Sequence, residues 1–306
     1  MTSKNQLKTR RMSDSTFGFL LMVPALLVLL VVIAFPILKG IYASFCDYGL
    51  KELRKGIFDL KWNNFANYKM VNWPITWNPG LQTVKRMVDD GVIGKVIEIK
   101  TRMGHTGPLG PGAKHKIAET SEPMTEAEKC STWWHQHDCG GGAMADYCCY
   151  GSVVSYWMAG KPAVAAMGMR VNSIHALADA EDNAAMIVRY PDCYAVLEGT
   201  WTTYNHTFKS PIVYGTKGAL VGDYKTGKVQ FYHTDGTVED IENDPLPEEL
   251  KDVACAYVHH MDTDEPIHYT VQPEFNLDAM AILDAGIRSS DSGKIELVNN
   301  LHWQIG

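Results

Sequence analysis

The chain has 306 residues, enough for two domains or one large domain with appendages. Its formal net charge of −7 excludes the basic face that a nucleic-acid partner requires, so none is expected. The 7 cysteines include the adjacent pair Cys148 and Cys149 and show no CxxC spacing, which fits reduced thiols rather than a disulfide framework.

Residues 17–38, FGFLLMVPALLVLLVVIAFPIL, carry no charge. A bilayer is crossed by about 20 apolar residues in helical form, so this run predicts one transmembrane helix and a single-pass protein of the cell membrane. It exceeds the apolar core of a cleaved signal, which is about 7–15 residues. Pro24 and Pro36 are compatible with a membrane helix. Lys4, Lys8, Arg10 and Arg11 favour a cytoplasmic N-terminus, but Lys39, Lys51, Arg54 and Lys55 weaken the asymmetry and leave orientation open.

After residue 69 the character changes. MVNWPITW, rich in β-branched and aromatic residues, reads as a strand. Residues 79–91 place Leu81, Val84, Met87 and Val88 at helical spacing. KVIEIKTR at 95–102 alternates as a strand does, and the Gly/Pro-rich residues 104–112 read as a loop. Strands are then expected at 164–171, 184–190, 194–203, 210–214, 219–223, 228–233 and 238–241, with Asp235-Gly236 as a hairpin turn. Helices are expected at 143–158, 248–260 and 274–290. The last presents Leu277, Met280, Ala281, Asp284 and Ile287 at helical spacing. The expected fold class is α+β: a large, mainly antiparallel open sheet covered by helices on one face and preceded by one transmembrane helix.

The stretch with chemical content is WWHQHDCGGGAMADYCCYGSVVSYW, residues 133–157. Asp146 and Tyr150 are four apart, which puts both on one face of a helix beginning near Ala143. A carboxylate and a phenol beside a glycine-rich opening can bind a polyol and move a proton, and they can equally be a helix surface pair. A nearby cation would help the tyrosine act at neutral pH. His135, His137 and Cys139 alternate along one short segment, a spacing that seldom closes a metal site. The glycine run could take an anion at a helix N-terminus or allow the close approach of a substrate.

GGGAMADYCCYG resembles the G-G-G-x-x-x-D-x-x-x-[HY] motif of the glucose–fructose oxidoreductase/inositol dehydrogenase (Gfo/Idh/MocA) family, in its C-terminal domain. GVIGKV at 91–96, EDNAAMIVRYP at 181–191, EGTW at 198–201, YGTKGAL at 214–220 and SSDSGK at 289–294 carry the same resemblance. It implies that Tyr150 transfers the proton, that Asp146 orients a sugar or cyclitol hydroxyl, and that Trp134, His135 and His137 contact the sugar. It also implies NAD or NADP as cofactor and a homo-oligomer formed through the sheet face.

The family's dinucleotide-binding half needs G-x-G-x-x-G between a strand and a helix, and that pattern is absent from this sequence. The family's Glu-Lys-Pro is missing too, and Gly160-Lys161-Pro162 lies beyond the helix. Residues 12–68, ending in WNNFANY, instead resemble the start of a sugar-type ABC transporter permease. The expected organisation is a permease-like segment at 1–69, the remnant last strand of a dinucleotide-binding domain at 70–80, and a substrate and oligomerisation domain at 81–306. The expected function is an oxidoreductase reduced to its substrate-binding domain and inactive alone. The alternatives are a membrane-tethered, non-enzymatic carbohydrate-binding module and a permease–oxidoreductase gene fusion without function.

Overall fold

The computed structural model describes residues 72–107, 125–174, 179–202 and 209–298, together with scattered positions between 13 and 46. The chain divides into two compact units, Met1–Lys69 and Met70–Gly306.

In the first unit, helix α1 spans Phe35–Ser44, ten residues with Pro36 in its first turn, where a missing N–H costs nothing. At 1.5 Å per residue it is about 15 Å long, roughly half the hydrocarbon thickness of a bilayer. Among the described residues no helix is long and apolar enough to cross a membrane. This overturns the expected transmembrane helix over 17–38, and with it the membrane partner and the single-pass membrane localisation. Residues 24–31 of that run lie outside the described residues.

The second unit is built on nine strands: β1 Val96–Gly104, β2 Ala165–Val171, β3 Asn183–Arg189, β4 Tyr194–Thr200, β5 Ile212–Gly215, β6 Gly218–Gly222, β7 Val229–His233, β8 Val238–Ile241 and β9 Glu296–Leu297. Their order in the sheet is β8-β7-β6-β5-β1-β4-β3-β2-β9. The sheet is mixed, which corrects the expected fold class. β1 runs parallel to β4, with Thr101 opposite Leu197, and antiparallel to β5, with Ile99 opposite Val213. Strands β2, β3 and β4 form one meander and β5 to β8 another, and β1 fills the gap between them.

The helices of this unit are α2 Pro79–Asp89, α3 Glu126–Cys130, α4 Cys149–Ala159, α5 Val253–Thr263 and α6 Pro273–Ser292. Asn78 caps α2 by accepting the Leu81 N–H at 3.2 Å, and Pro79 occupies its first position. The residues before it do not form the expected strand: Pro74–Trp77 is a 3₁₀ turn. Pro74 fixes φ and offers no N–H to a ladder, so the segment turns rather than pairs.

Alternation along β3 buries Ala184, Met186 and Val188 on one face and leaves Ala185, Ile187 and Arg189 exposed on the other. α6 buries Phe275, Asn276, Ala279, Ala281, Ile282, Ala285, Gly286 and Ser289. The expected stripe meets this side in part: Ala281 is buried and Met280 and Ile287 pack against the core, while Leu277 and Asp284 are only half-buried. A Cβ on Gly168 of β2 would stand 2.1 Å from the Gly286 carbonyl oxygen, so a glycine in the strand is what admits this approach of α6.

Candidate functional site

The site is assembled where α4 begins. Gly140, Gly141 and Gly142 lead into a π-helical turn, Met144–Cys148, that continues as α4. Gly142 has φ +107°, and a Cβ there would fall 2.4 Å from the Glu181 Oε1. Glu181 is 5% exposed. Its Oε1 accepts the Met144 N–H at 2.8 Å, and its backbone carbonyl accepts the Ala143 N–H at 2.9 Å. The helix start that could have bound an external anion therefore already holds the protein's own carboxylate. Burial pushes the Glu181 carboxyl up, opposed by the Met144 amide, its own amide and Arg170, whose Nη1 lies 3.8 Å away.

Asp146 projects from the π-helical turn. Its Oδ2 accepts the Trp201 Nε1–H at 2.8 Å and lies 3.7 Å from the His105 Nε2. The His105 Nδ1 accepts the Gly107 N–H at 3.1 Å. The neutral ring therefore carries its proton on Nε2, facing the carboxylate. Trp201 is buried, and the His135 ring packs on it at 5.4 Å between centroids. His135, expected to contact sugar, is 1% exposed, with its Nδ1 3.2 Å from the Thr132 Oγ1. Its place is behind the tryptophan that holds Asp146.

Two cavities meet at Tyr150. The first, about 440 Å³, is walled by Ile75, Met103, His105, Tyr147, Tyr224 and Lys225, among others. The second, about 310 Å³, is lined by Trp73, Trp133, Trp134, the three glycines, Asp146 and Cys149. Tyr150 belongs to both. Its ring stands edge-on to Trp73 at 5.4 Å, and the Trp73 Nε1 donates to the Asn276 Oδ1 on α6. Trp133 and Trp134 stack with centroids 3.9 Å apart and planes 26° apart.

The structure thus brings Asp146, Tyr150 and Trp134 to one cavity, and places His135 and His137 elsewhere. The His137 ring lies 3.8 Å from the Asp138 carboxylate, and its backbone N–H donates to the Asp179 Oδ1 at 2.8 Å. Burial raises the Tyr150 phenol above its ordinary range, and Cys149 and Asp146 push it the same way. Trp73, His105, Tyr147, Glu181, Trp201 and Lys225 received no role from the sequence. Glu181 and Trp201 fall inside the quoted segments EDNAAMIVRYP and EGTW, where nothing in their spacing distinguishes them from strand ends.

A fixed carboxylate acceptor, a protonated phenol and a tryptophan platform suit a polyhydroxylated ligand. The Gly140–Gly142 helix start does not fit the pyrophosphate of a dinucleotide. The Gly-rich helix start, where a pyrophosphate would sit, is filled by Glu181.

Residues 81–221 match the GFO/IDH/MocA C-terminal domain family. The match leaves residues 12–68, and the permease resemblance they carry, without support. No curated protein matches the chain. Among solved structures, the aldose-aldose oxidoreductase from Caulobacter crescentus, complexed with glycerol, is 17% identical at a TM-score of 0.58, over 74% of this chain and 63% of its own. The levoglucosan dehydrogenase, in complex with NADH and levoglucosan, is 14% identical at a TM-score of 0.57, over 73% and 64%. An NAD binding oxidoreductase from Klebsiella pneumoniae is 15% identical at a TM-score of 0.57, over the same shares. The chain spans less than two thirds of the length of these structures. The likeness establishes the fold of residues 70–306 and nothing of its activity.

Proposed function

We propose that residues 70–306 form the substrate-binding half of an NAD(P)-dependent sugar or cyclitol oxidoreductase. The observation that carries this reading is the setting of Asp146. Trp201 holds its carboxylate by a hydrogen bond, with His105 facing it at 3.7 Å, in a cavity shared with Tyr150 and the stacked Trp133 and Trp134. In this reading Asp146 accepts a hydrogen bond from a ring hydroxyl, Trp134 packs against the apolar face of the ring, and the phenol of Tyr150 hydrogen-bonds the oxygen that gains or loses a proton. A phenol raised by burial stays protonated near neutral pH and acts as a donor.

The nicotinamide would supply the hydride chemistry, and the described residues offer it no site. The chain by itself is therefore proposed to bind sugars without oxidising or reducing them. The open face of the sheet, where Met167, Met169, Val171 and Ile187 are exposed, is proposed to be covered by a second copy.

Calorimetric titration of the purified chain with hexoses and inositols tests the reading. Binding is expected, weakened by Asp146→Asn and by Tyr150→Phe. NADH is expected neither to bind nor to be consumed in the presence of ketoses. Failure of every sugar to bind would overturn the sugar site, and NADH-linked turnover by this chain would overturn its dependence on residues elsewhere.

A further inference from the structure

The two cavities that meet at Tyr150 differ in charge. Among the described residues, the second contains the carboxylate of Asp146 and no lysine or arginine. The first contains Lys225, His105 and the phenols of Tyr147, Tyr150 and Tyr224, and no carboxylate among the described residues. We propose that the first cavity receives an anionic substituent of the sugar, a carboxylate or a phosphate, and that Lys225 is its specificity-determining residue. This rests on the sugar-binding reading above and narrows the substrate class.

The turn that carries Lys225 is held in place. The Asp223 Oδ1 accepts the N–H groups of Lys225 at 3.0 Å and Thr226 at 3.3 Å, and the Asp223 carbonyl accepts the Gly227 N–H at 2.7 Å. The Tyr224 carbonyl accepts the Asn78 Nδ2–H at 2.9 Å, which ties the turn to the start of α2. The lysine therefore projects from fixed backbone beside the cavity, its Nζ 5.6 Å from the centre of the Tyr224 ring.

The rest of the wall matches an anion. Burial raises Tyr147, Tyr150 and Tyr224, the last to about 12, so the phenols remain protonated and can donate. Pro74, Ile75 and Met103 supply apolar wall, and exclusion of water strengthens a lysine–anion contact. Partial burial lowers Lys225. Because Tyr150 lines both cavities, a ring seated against Trp134 can pass a substituent beyond the phenol toward Lys225.

The test is calorimetric titration of the full chain with glucose, glucuronate and glucose 6-phosphate, for the parent and for Lys225→Gln and Lys225→Arg. At least one anionic sugar is expected to bind about tenfold more tightly than glucose, the increment of a charge-assisted hydrogen bond. Lys225→Gln should remove that preference while leaving glucose affinity within about twofold, and Lys225→Arg should keep it. The tighter of the two anions identifies carboxylate or phosphate as the group received. Glucose binding as tightly as both anions, or a preference that survives Lys225→Gln, overturns this inference and leaves the sugar site standing. Binding of none of the three overturns both.

Discussion

Trp201 donates its indole N–H to the Asp146 carboxylate at 2.8 Å, joining the residue that follows β4 to the π-helical turn that opens α4. A π-helical turn changes which residues share a face, so the spacing of Asp146 and Tyr150 alone does not fix their directions. The indole does so for Asp146. His135 then acts through Trp201 as packing, at 5.4 Å between rings.

Trp201→Phe keeps an aromatic ring in the core and removes the donor. We expect sugar affinity to fall by about tenfold or more, as for a lost hydrogen bond to a charged group. Stability should fall by about 1–3 kcal/mol for the smaller ring in a buried site. Calorimetry with the same sugars and urea denaturation check the two effects separately.

Gly142→Ala places a methyl group 2.4 Å from the Glu181 Oε1 on a backbone with φ +107°. Strained φ alone costs about 1–3 kcal/mol, and displacement of the carboxylate adds the loss of its bond to the Met144 amide. Chemical denaturation should show a loss of about 2–4 kcal/mol. Gly140→Ala, at φ +76° with open space around it, should cost less.

Much of this fold is written in local pattern. Alternation marks β3, and the Asn78-Pro79 start with Leu81, Val84 and Met87 marks α2. The position of β1 is not local. Its parallel neighbour β4 comes much later in the chain, and hairpin signals speak only to consecutive strands. The buried face of α6 is legible in part: Ala281 is buried and Met280 and Ile287 pack on the core, whereas the small residues Ala279, Ala285 and Gly286, buried more deeply than Leu277, carry no hydrophobic signal of their size. In the site, the motif brought Asp146 and Tyr150 to notice. Trp201, which bonds Asp146, His105, which faces it, and Glu181, which accepts the Met144 amide at the start of their turn, come from other elements, and only the tertiary structure brings them together.

Glu181 makes stability depend on pH in a stated direction. Burial is the largest influence and raises its carboxyl above the ordinary 4.5. A folded value above the unfolded one means that the folded state holds the proton longer. Its contribution is therefore full below about pH 4 and declines as pH rises through the raised folded value. Glu181→Gln cannot ionise and should abolish that decline while its amide oxygen still accepts the Met144 N–H. Thermal denaturation from acid to neutral pH should show the variant gaining on the parent as pH rises; a constant difference would contradict the assignment.

The open sheet face supports a prediction about assembly. Met167 lies opposite Ile187 in the β2–β3 ladder, and Met169, 68% exposed, stands on the same face. Such a cluster favours a self-complementary contact between two copies. Light scattering after size exclusion should report a dimer for the parent. Met169→Glu, which adds a charge at each copy's contact, should report a monomer with unchanged circular dichroism.

The state of the Tyr150 phenol decides which way it can move a proton. Burial first, then Cys149 and Asp146, raise it above its ordinary 10.0. At neutral pH it is therefore a donor, able to protonate an oxygen but not to accept a proton from one without a cation brought near. Subtracting the ultraviolet pH titration of Tyr150→Phe from that of the parent isolates its ionisation. The difference should show no phenolate below about pH 10. A step near neutrality would mean that a positive charge already reaches Tyr150, and the chain would then hold a competent base.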